Sequence, residues 1–177
     1  MVTPEGHTTF SFIKDPKGDP RLKDFSTGER TEWERAVNDL VRELYQDGLA
    51  RYPRIRTLAM TDGSGETLGL CAWRPKKLEP TTGPYEEPPY VHLIGVSERF
   101  RRPHEDDGAP SIGSALLVQA LQEIRIQWDS SIMPDVWALV HRDNEESHQL
   151  FARHGFSLVK RKVGDHRRYR PPKLPIQ

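Results

Sequence analysis

Apolar residues recur along this chain in blocks whose spacing switches between a helical and an extended repeat. Trp33, Ala36, Val37, Leu40, Val41 and Leu44 fall three and four residues apart, the repeat of one helix face, and Gly48 ends the stripe. Thr31 and Glu34 stand at the capping-box spacing at its start. IRTLAMT (55–61) and TLGLCAW (67–73) are rich in strand formers, and DGSG between them predicts a hairpin, with Gly63 and Gly65 supplying positive φ angles. YVHLIGV (90–96) is apolar almost without a break, as in a strand buried on both faces, and is expected at the centre of the sheet. A helix over 112–128 turns Ile112, Ala115, Leu116, Leu121 and Ile124 inward, and VWALVH (136–141) is another buried strand. NEESHQLFARHGF predicts a short helix with Asn144 as N-cap, Glu145 and Glu146 at the positive end of the dipole, and Gly155 as the stop. TTFSFI (8–13) reads as a first strand; FSLVKRKV and HRRYR close the sheet.

The predicted order is strand, helix, three strands, helix, strand, helix, one or two strands: a mixed α/β layer with no internal repeat. At 177 residues and 35% hydrophobic, the chain builds one sizeable core, so residues 1–170 are read as a single domain and 171–177 as a proline-rich C-terminal tail. The basic, proline-rich stretch HRRYRPPKLPIQ (166–177) is read as either an unstructured end or an element packing on a second subunit of a homodimer. Lysine plus arginine (26) equals aspartate plus glutamate (26), so no global field attracts a polyanion and nucleic acid is not expected as a partner. The one cysteine, Cys71, excludes an intrachain disulfide framework, and no apolar run is long enough to cross a bilayer. MVTPEGHTTF lacks the pattern of a signal peptide, and a cytoplasmic location is expected.

Chemistry concentrates after the central strand. DGAPSIGSALL (108–118) places Gly108, Ser111 and Gly113 at a helix mouth, although glycine inside a helix costs roughly 1 kcal/mol against alanine. The small residues are either punctuation or a way for an anion to reach the unpaired N–H groups of the helix start. Ligands of open α/β sheets sit at the carboxyl ends of strands where neighbours part, so the site is expected at the end of 90–96. The loop residues His104, Glu105, Asp106 and Asp107 lack ligand spacing and read as a solvated loop, and no metal is expected. Trp33, Trp73, Trp128 and Trp137 read as core or pocket wall.

YVHLIGVSERFR, then SIGSALL, then VWALVHRDNEESHQLFARHGF together resemble the GCN5-related N-acetyltransferase superfamily over roughly residues 55–160. The downstream signature is matched by Asn144, Ser147, Leu150, Phe151, Gly155 and Phe156 with every spacing kept. Upstream, Gly113 fits the last glycine of the family's turn, whereas Ser111 and Gly108 replace its usual residues. The resemblance implies a mostly antiparallel sheet of six or seven strands, helices on both faces and two splayed central strands.

It also implies transfer of an acetyl or other acyl group from acetyl-CoA to a primary amine of a small molecule or peptide, by direct attack. Ile94 and Val96 are the positions expected to pair with the pantetheine arm, and the Val96 N–H to polarise the thioester carbonyl. Gly108, Ala109, Ser111, Ile112, Gly113 and Ser114 are expected around the pyrophosphate, with Arg101 and Arg102 as charged partners. Asn144 and Phe151 complete the expected cofactor set. An ordinary lysine-type amine has a pKa near 10.4 and must be neutral to attack, so a base is needed. His92 is the first candidate and Tyr90 the second. Phe151 stands where many members carry a tyrosine that protonates the leaving thiolate, and a phenyl ring has no proton to give. The alternative reading is therefore a catalytically weak or silent acyl-CoA-binding sensor or interaction module.

Overall fold

The computed structural model describes residues 10–46, 55–75, 89–101, 111–128, 136–163 and 166–170. In chain order they form β1 (Ser11–Lys14), α1 (Glu32–Gln46), β2 (Arg56–Thr61), β3 (Thr67–Pro75), β4 (Pro89–Val96), α2 (Ile112–Trp128), β5 (Trp137–His141), α3 (Glu145–Arg153), β6 (Ser157–Val163) and β7 (His166–Arg170). Single 3-10 turns at Pro20–Leu22 and Glu98–Phe100 lead into and out of this framework. Among the described residues the strands make one seven-stranded sheet in the order β1-β2-β3-β4-β5-β7-β6. Every pairing in it is antiparallel except β4 with β5.

Helices cover both faces. On one, α1 packs Val37, Leu40, Val41 and Leu44 against Ala59, Leu70 and Ala72, with Leu22, Phe25 and Ile55 closing the cluster. Each such aliphatic side chain removed from water contributes about 1.5–3 kcal/mol, which outweighs the helix's own weak propensity. On the other face, Leu116, Leu117, Ala120 and Ile124 of α2 and Leu150 and Phe151 of α3 meet Leu58, Met60, Trp73, Val91, Ala138 and Val140. The α2 stripe is shifted from the expected one: Leu117 and Ala120 are fully buried, while Ala115 and Leu121 are only half-buried. Glu123 is buried as well, its carboxylate reached by Lys14 Nζ of β1 at 2.8 Å.

The predicted caps form. Thr31 N–H donates to Glu34 Oε2 at 2.9 Å and Glu34 N–H to Thr31 Oγ1 at 3.3 Å, the reciprocal bonds of a capping box. Asn144 accepts from Ser147 N–H at 3.1 Å, and Gly155 ends α3 at φ 75°. Two details differ. Ala36 is exposed and Glu34 is buried in its stead, because Glu34 turns inward to meet Arg101. In the 62–65 turn Gly65 alone of the two glycines has positive φ. Asp62 supplies the remaining bend by accepting from Ser64 N–H and Glu66 N–H, each at 2.9 Å.

Close packing at the sheet centre depends on two glycines. A Cβ on Gly95 would lie 2.6 Å from Val37 Cγ1, and one on Gly69 would lie 2.6 Å from Leu116 Cδ1 and 2.9 Å from the Gly95 carbonyl oxygen. α1 and α2 thus press on β4 and β3 from opposite sides at neighbouring positions.

Candidate active site

β4 and β5 run side by side for only two rungs, Tyr90 with Trp137 and Val91 with Ala138, and then part. This explains why β4 is not the uniformly buried strand its sequence suggests. It is buried through Val91, but His92, Leu93, Ile94 and Val96 are half-buried because the neighbouring strand has turned away. On its other edge β4 stays paired with β3 to the end, and the register slips between Ala72 and Trp73. Ala72 faces Leu93 and Trp73 faces Val91, so His92 is the extra residue of a bulge at the apex of the fork. A bulge bends the strand and re-aims the side chain it carries. The His92 ring lies 6.1 Å from that of Tyr90.

Backbone alternation fixes which amides face the gap. Ser97 N–H donates to Leu68 O at 2.8 Å, toward β3. In an antiparallel ladder adjacent residues point opposite ways, so the N–H groups of Val96 and Ile94 point toward the fork. The mouth of the fork is met by the start of α2. A Cβ built on Gly113 would sit 3.8 Å from Val96 Cγ2 and 3.6 Å from Leu150 Cδ2, which locates the first helical turn between the tip of β4 and α3. Those are ordinary contact distances, so packing alone does not demand a glycine there. Ser111 accepts from Ser114 N–H at 3.2 Å and its carbonyl accepts from Ala115 N–H at 2.9 Å, which leaves Ile112 and Gly113 as the first-turn amides that helix geometry does not satisfy.

The other expected residues divide clearly. Arg101 does not reach toward α2. Its Nη1 meets the Glu34 carboxylate, Nη2 donates to Thr27 O at 2.6 Å, and Nε to Val96 O at 3.4 Å. Burial alone would push Glu34 up, but the hydrogen bonds from Arg101 and the Thr31 N–H and the arginine charge hold its carboxyl below the usual value. Arg101 is thus tied to the entry of α1. Arg102, Gly108 and Ala109 lie outside the described residues, as do the acidic 104–107 stretch and the 171–177 tail. Asn144 uses its side chain as a cap.

Phe151 is buried in an aromatic stack, 5.1 Å from the Phe156 ring and 5.8 Å from that of Tyr169. Behind it the Tyr169 hydroxyl bonds His148 Nδ1 at 2.7 Å, and His148 Nε2 lies 3.1 Å from Arg142 O. An accepting Nδ1 makes Nε2–H the donor to that carbonyl. His148 is therefore occupied by a buried hydrogen-bond pair.

One group near the fork escapes sequence reasoning. On the α1 side of the sheet, His141 at the end of β5 stands opposite His166 at the start of β7, their rings 5.6 Å apart and edge-on. The indole of Trp33, in the first turn of α1, lies 5.3 Å from the His141 ring. The three lie far apart in the sequence, and the strand order β5-β7-β6 brings them together. Among the described residues no group of three or more His, Cys, Asp and Glu side chains could hold a metal ion, and no helix is long and apolar enough to cross a membrane.

No protein-family model matches the sequence, and no curated protein matches it. Solved structures do resemble it. The chain is similar to one in the KacTA–DNA complex, with TM-score 0.65 and 14% identity over 92% of this chain and 93% of that one. It is similar to AtaT complexed with acetyl-methionyl-tRNAfMet, with TM-score 0.61 and 16% identity over 92% and 95%. It is also similar to the PaiA N-acetyltransferase of Thermoplasma acidophilum in complex with coenzyme A, with TM-score 0.59 and 12% identity over 92% and 98%. The fold is that of the GCN5-related N-acetyltransferases, with the mostly antiparallel sheet, two-sided helices and splayed central strands that the sequence resemblance implies.

These likenesses correct one expectation. Balanced charge argued against nucleic acid, yet structures of this fold include one bound to DNA and one carrying an acylated tRNA. Net charge sums over the whole surface, and a local field on one face is enough for a polyanion, so the neutral total does not exclude such a partner.

Proposed function

We propose that the chain is an acyltransferase that moves an acetyl or related acyl group from acyl-coenzyme A to a primary amine by direct attack. The observation that carries this reading is the fork: two rungs of parallel pairing between β4 and β5, then a gap lined by the Val96 and Ile94 amides, with the first turn of α2 at its mouth. The resident residues suit a nucleotide thioester. The Ile112 and Gly113 amides can take a pyrophosphate at the positive end of α2, and the fork-facing backbone of β4 can pair with an amide-bearing arm. A bound acyl-CoA supplies an activated thioester whose carbonyl carbon is open to an amine nucleophile.

Val96 N–H is then aimed to stabilise charge on the thioester oxygen, worth about 3–4 kcal/mol in comparable oxyanion sites. His92, thrown out of register by the bulge, is the group proposed to accept the ammonium proton directly or through water, with Tyr90 beside it. Arg101 is left out of the phosphate site because its guanidinium is committed to Glu34 and Thr27. The first-turn residues Ser111, Ile112, Gly113 and Ser114 remain in it.

A second reading is favoured by Phe151. With a buried phenyl ring at that place, a chain that binds acyl-CoA without turnover is the competing account. Against it, a thiol of ordinary pKa near 8.5 leaves tolerably well without an acid. Thiol release from acetyl-CoA, measured against small amines, peptide N-termini and aminoacyl-tRNA, separates the two. Turnover with any of them supports transfer; coenzyme A binding with none supports the sensor.

A further inference from the structure

Resting on the acyltransferase reading, we infer that the α1 side of the fork receives an amine carried on a flat aromatic or heterocyclic group, held by the Trp33–His141–His166 cluster. The two sides of the sheet at the fork are unequal. On the α2 and α3 side, Val91, Ala138, Phe151 and Leu150 belong to one continuous buried core. On the opposite side α1 lies over β3 and β4, crossing at Gly95, and reaches β5 through Trp33 in its first turn. On that side of the sheet beyond, Trp137, Leu139 and His141 are half-buried and His166 is exposed.

What this face of the sheet presents beside the fork is a set of rings. Trp33 tilts by 30° over His141, and His166 meets His141 edge-on at 86°. Across the fork stand Tyr90 and His92, the latter on the bulge. Indole and imidazole faces attract flat π-systems and single cations, and each such contact adds about 0.5–1.5 kcal/mol beyond area burial. A polyamine, in contrast, needs several carboxylates to match its charges. Among the described residues the carboxylate that touches the cluster is Asp143, 3.8 Å from His141 Nδ1, and it is already met by Arg142 Nε at 3.5 Å. The geometry suits an amine with one positive charge and a planar carrier, delivered with its nitrogen toward His92.

Three probe amines test this by calorimetry on the full chain, with and without saturating acetyl-CoA: 1-naphthylmethylamine, cyclohexylmethylamine and spermidine. Expected is tightest binding of the naphthyl amine, about tenfold over the saturated-ring amine. Trp33→Leu or His141→Leu should remove that advantage while acetyl-CoA affinity stays within about twofold, which also certifies folding. Equal binding of the two ring amines, tighter binding of spermidine, or wild-type preference in both variants would overturn the inference. Loss of acetyl-CoA binding in the wild-type chain would instead remove the acyltransferase reading, and the titration without acetyl-CoA still tests the ring site.

Discussion

Arg101 and Glu34, far apart in the chain, form a largely buried ion pair that joins the end of β4 to the first turn of α1; the Glu34 side chain is only 6% exposed. The same guanidinium holds the Thr27 and Val96 carbonyls. Arg101→Ala leaves the Glu34 charge without its cation, and breaking such pairs typically costs about 3–5 kcal/mol. Arg101 is 29% exposed, so water re-enters and the expected loss is about 2–3 kcal/mol. For a chain of this size that lowers Tm by roughly 4–12 °C. Because the Glu34 carboxyl is held below its usual value, the stabilisation is present above the unfolded-state carboxylate pKa and is lost as pH falls through the folded one. Glu34→Gln should flatten the acid side of the stability profile, read by denaturant titration from pH 7 downward.

Glycines at three positions should respond differently to alanine. Gly95→Ala forces its methyl to 2.6 Å from Val37, and Gly69→Ala to 2.9 Å from backbone oxygen, so each should destabilise by about 1–3 kcal/mol. Gly113→Ala meets only ordinary contacts and gains helix propensity, so its Tm should hold or rise. If a pyrophosphate approaches that backbone, Gly113→Ala should nevertheless weaken acetyl-CoA binding. Unchanged affinity would leave the glycine as punctuation.

Much of this arrangement is legible in the sequence, for reasons that differ by element. The α1 stripe, the capping box at Thr31 and Glu34, and the Asn144 cap are local, so neighbouring residues specify them. The parting of β4 from β5 is not local; it follows from pairing, and it is why half-buried Leu93 and Ile94 look like core in the sequence. Arg101 reads as a phosphate ligand because its partner Glu34 already has a local role in a cap. The Trp33–His141–His166 cluster is invisible until β7 is known to insert between β5 and β6.

Cys71 is fully buried, and desolvation pushes its thiol far above the ordinary cysteine value. The native chain should not react with Ellman's reagent over a thiol-release assay, so the colour measured is coenzyme A alone. Labelling should become complete in denaturant. Prompt reaction in native buffer would contradict the burial.

Replacing His92 by Gln tests its proposed role without emptying the bulge. Expected is a fall of about 10² or more in kcat/KM and loss of the pH dependence on the acid side, with acetyl-CoA affinity unchanged. A variant with the wild-type pH profile would move the base to Tyr90 or to water.

Calorimetric titration of the purified chain with acetyl-CoA tests the fork as a thioester cradle most directly. The account predicts one-to-one binding accompanied by a rise in Tm that grows with ligand concentration. No heat and no stabilisation at millimolar acetyl-CoA would contradict it, leaving the likeness to acetyltransferases as one of backbone shape.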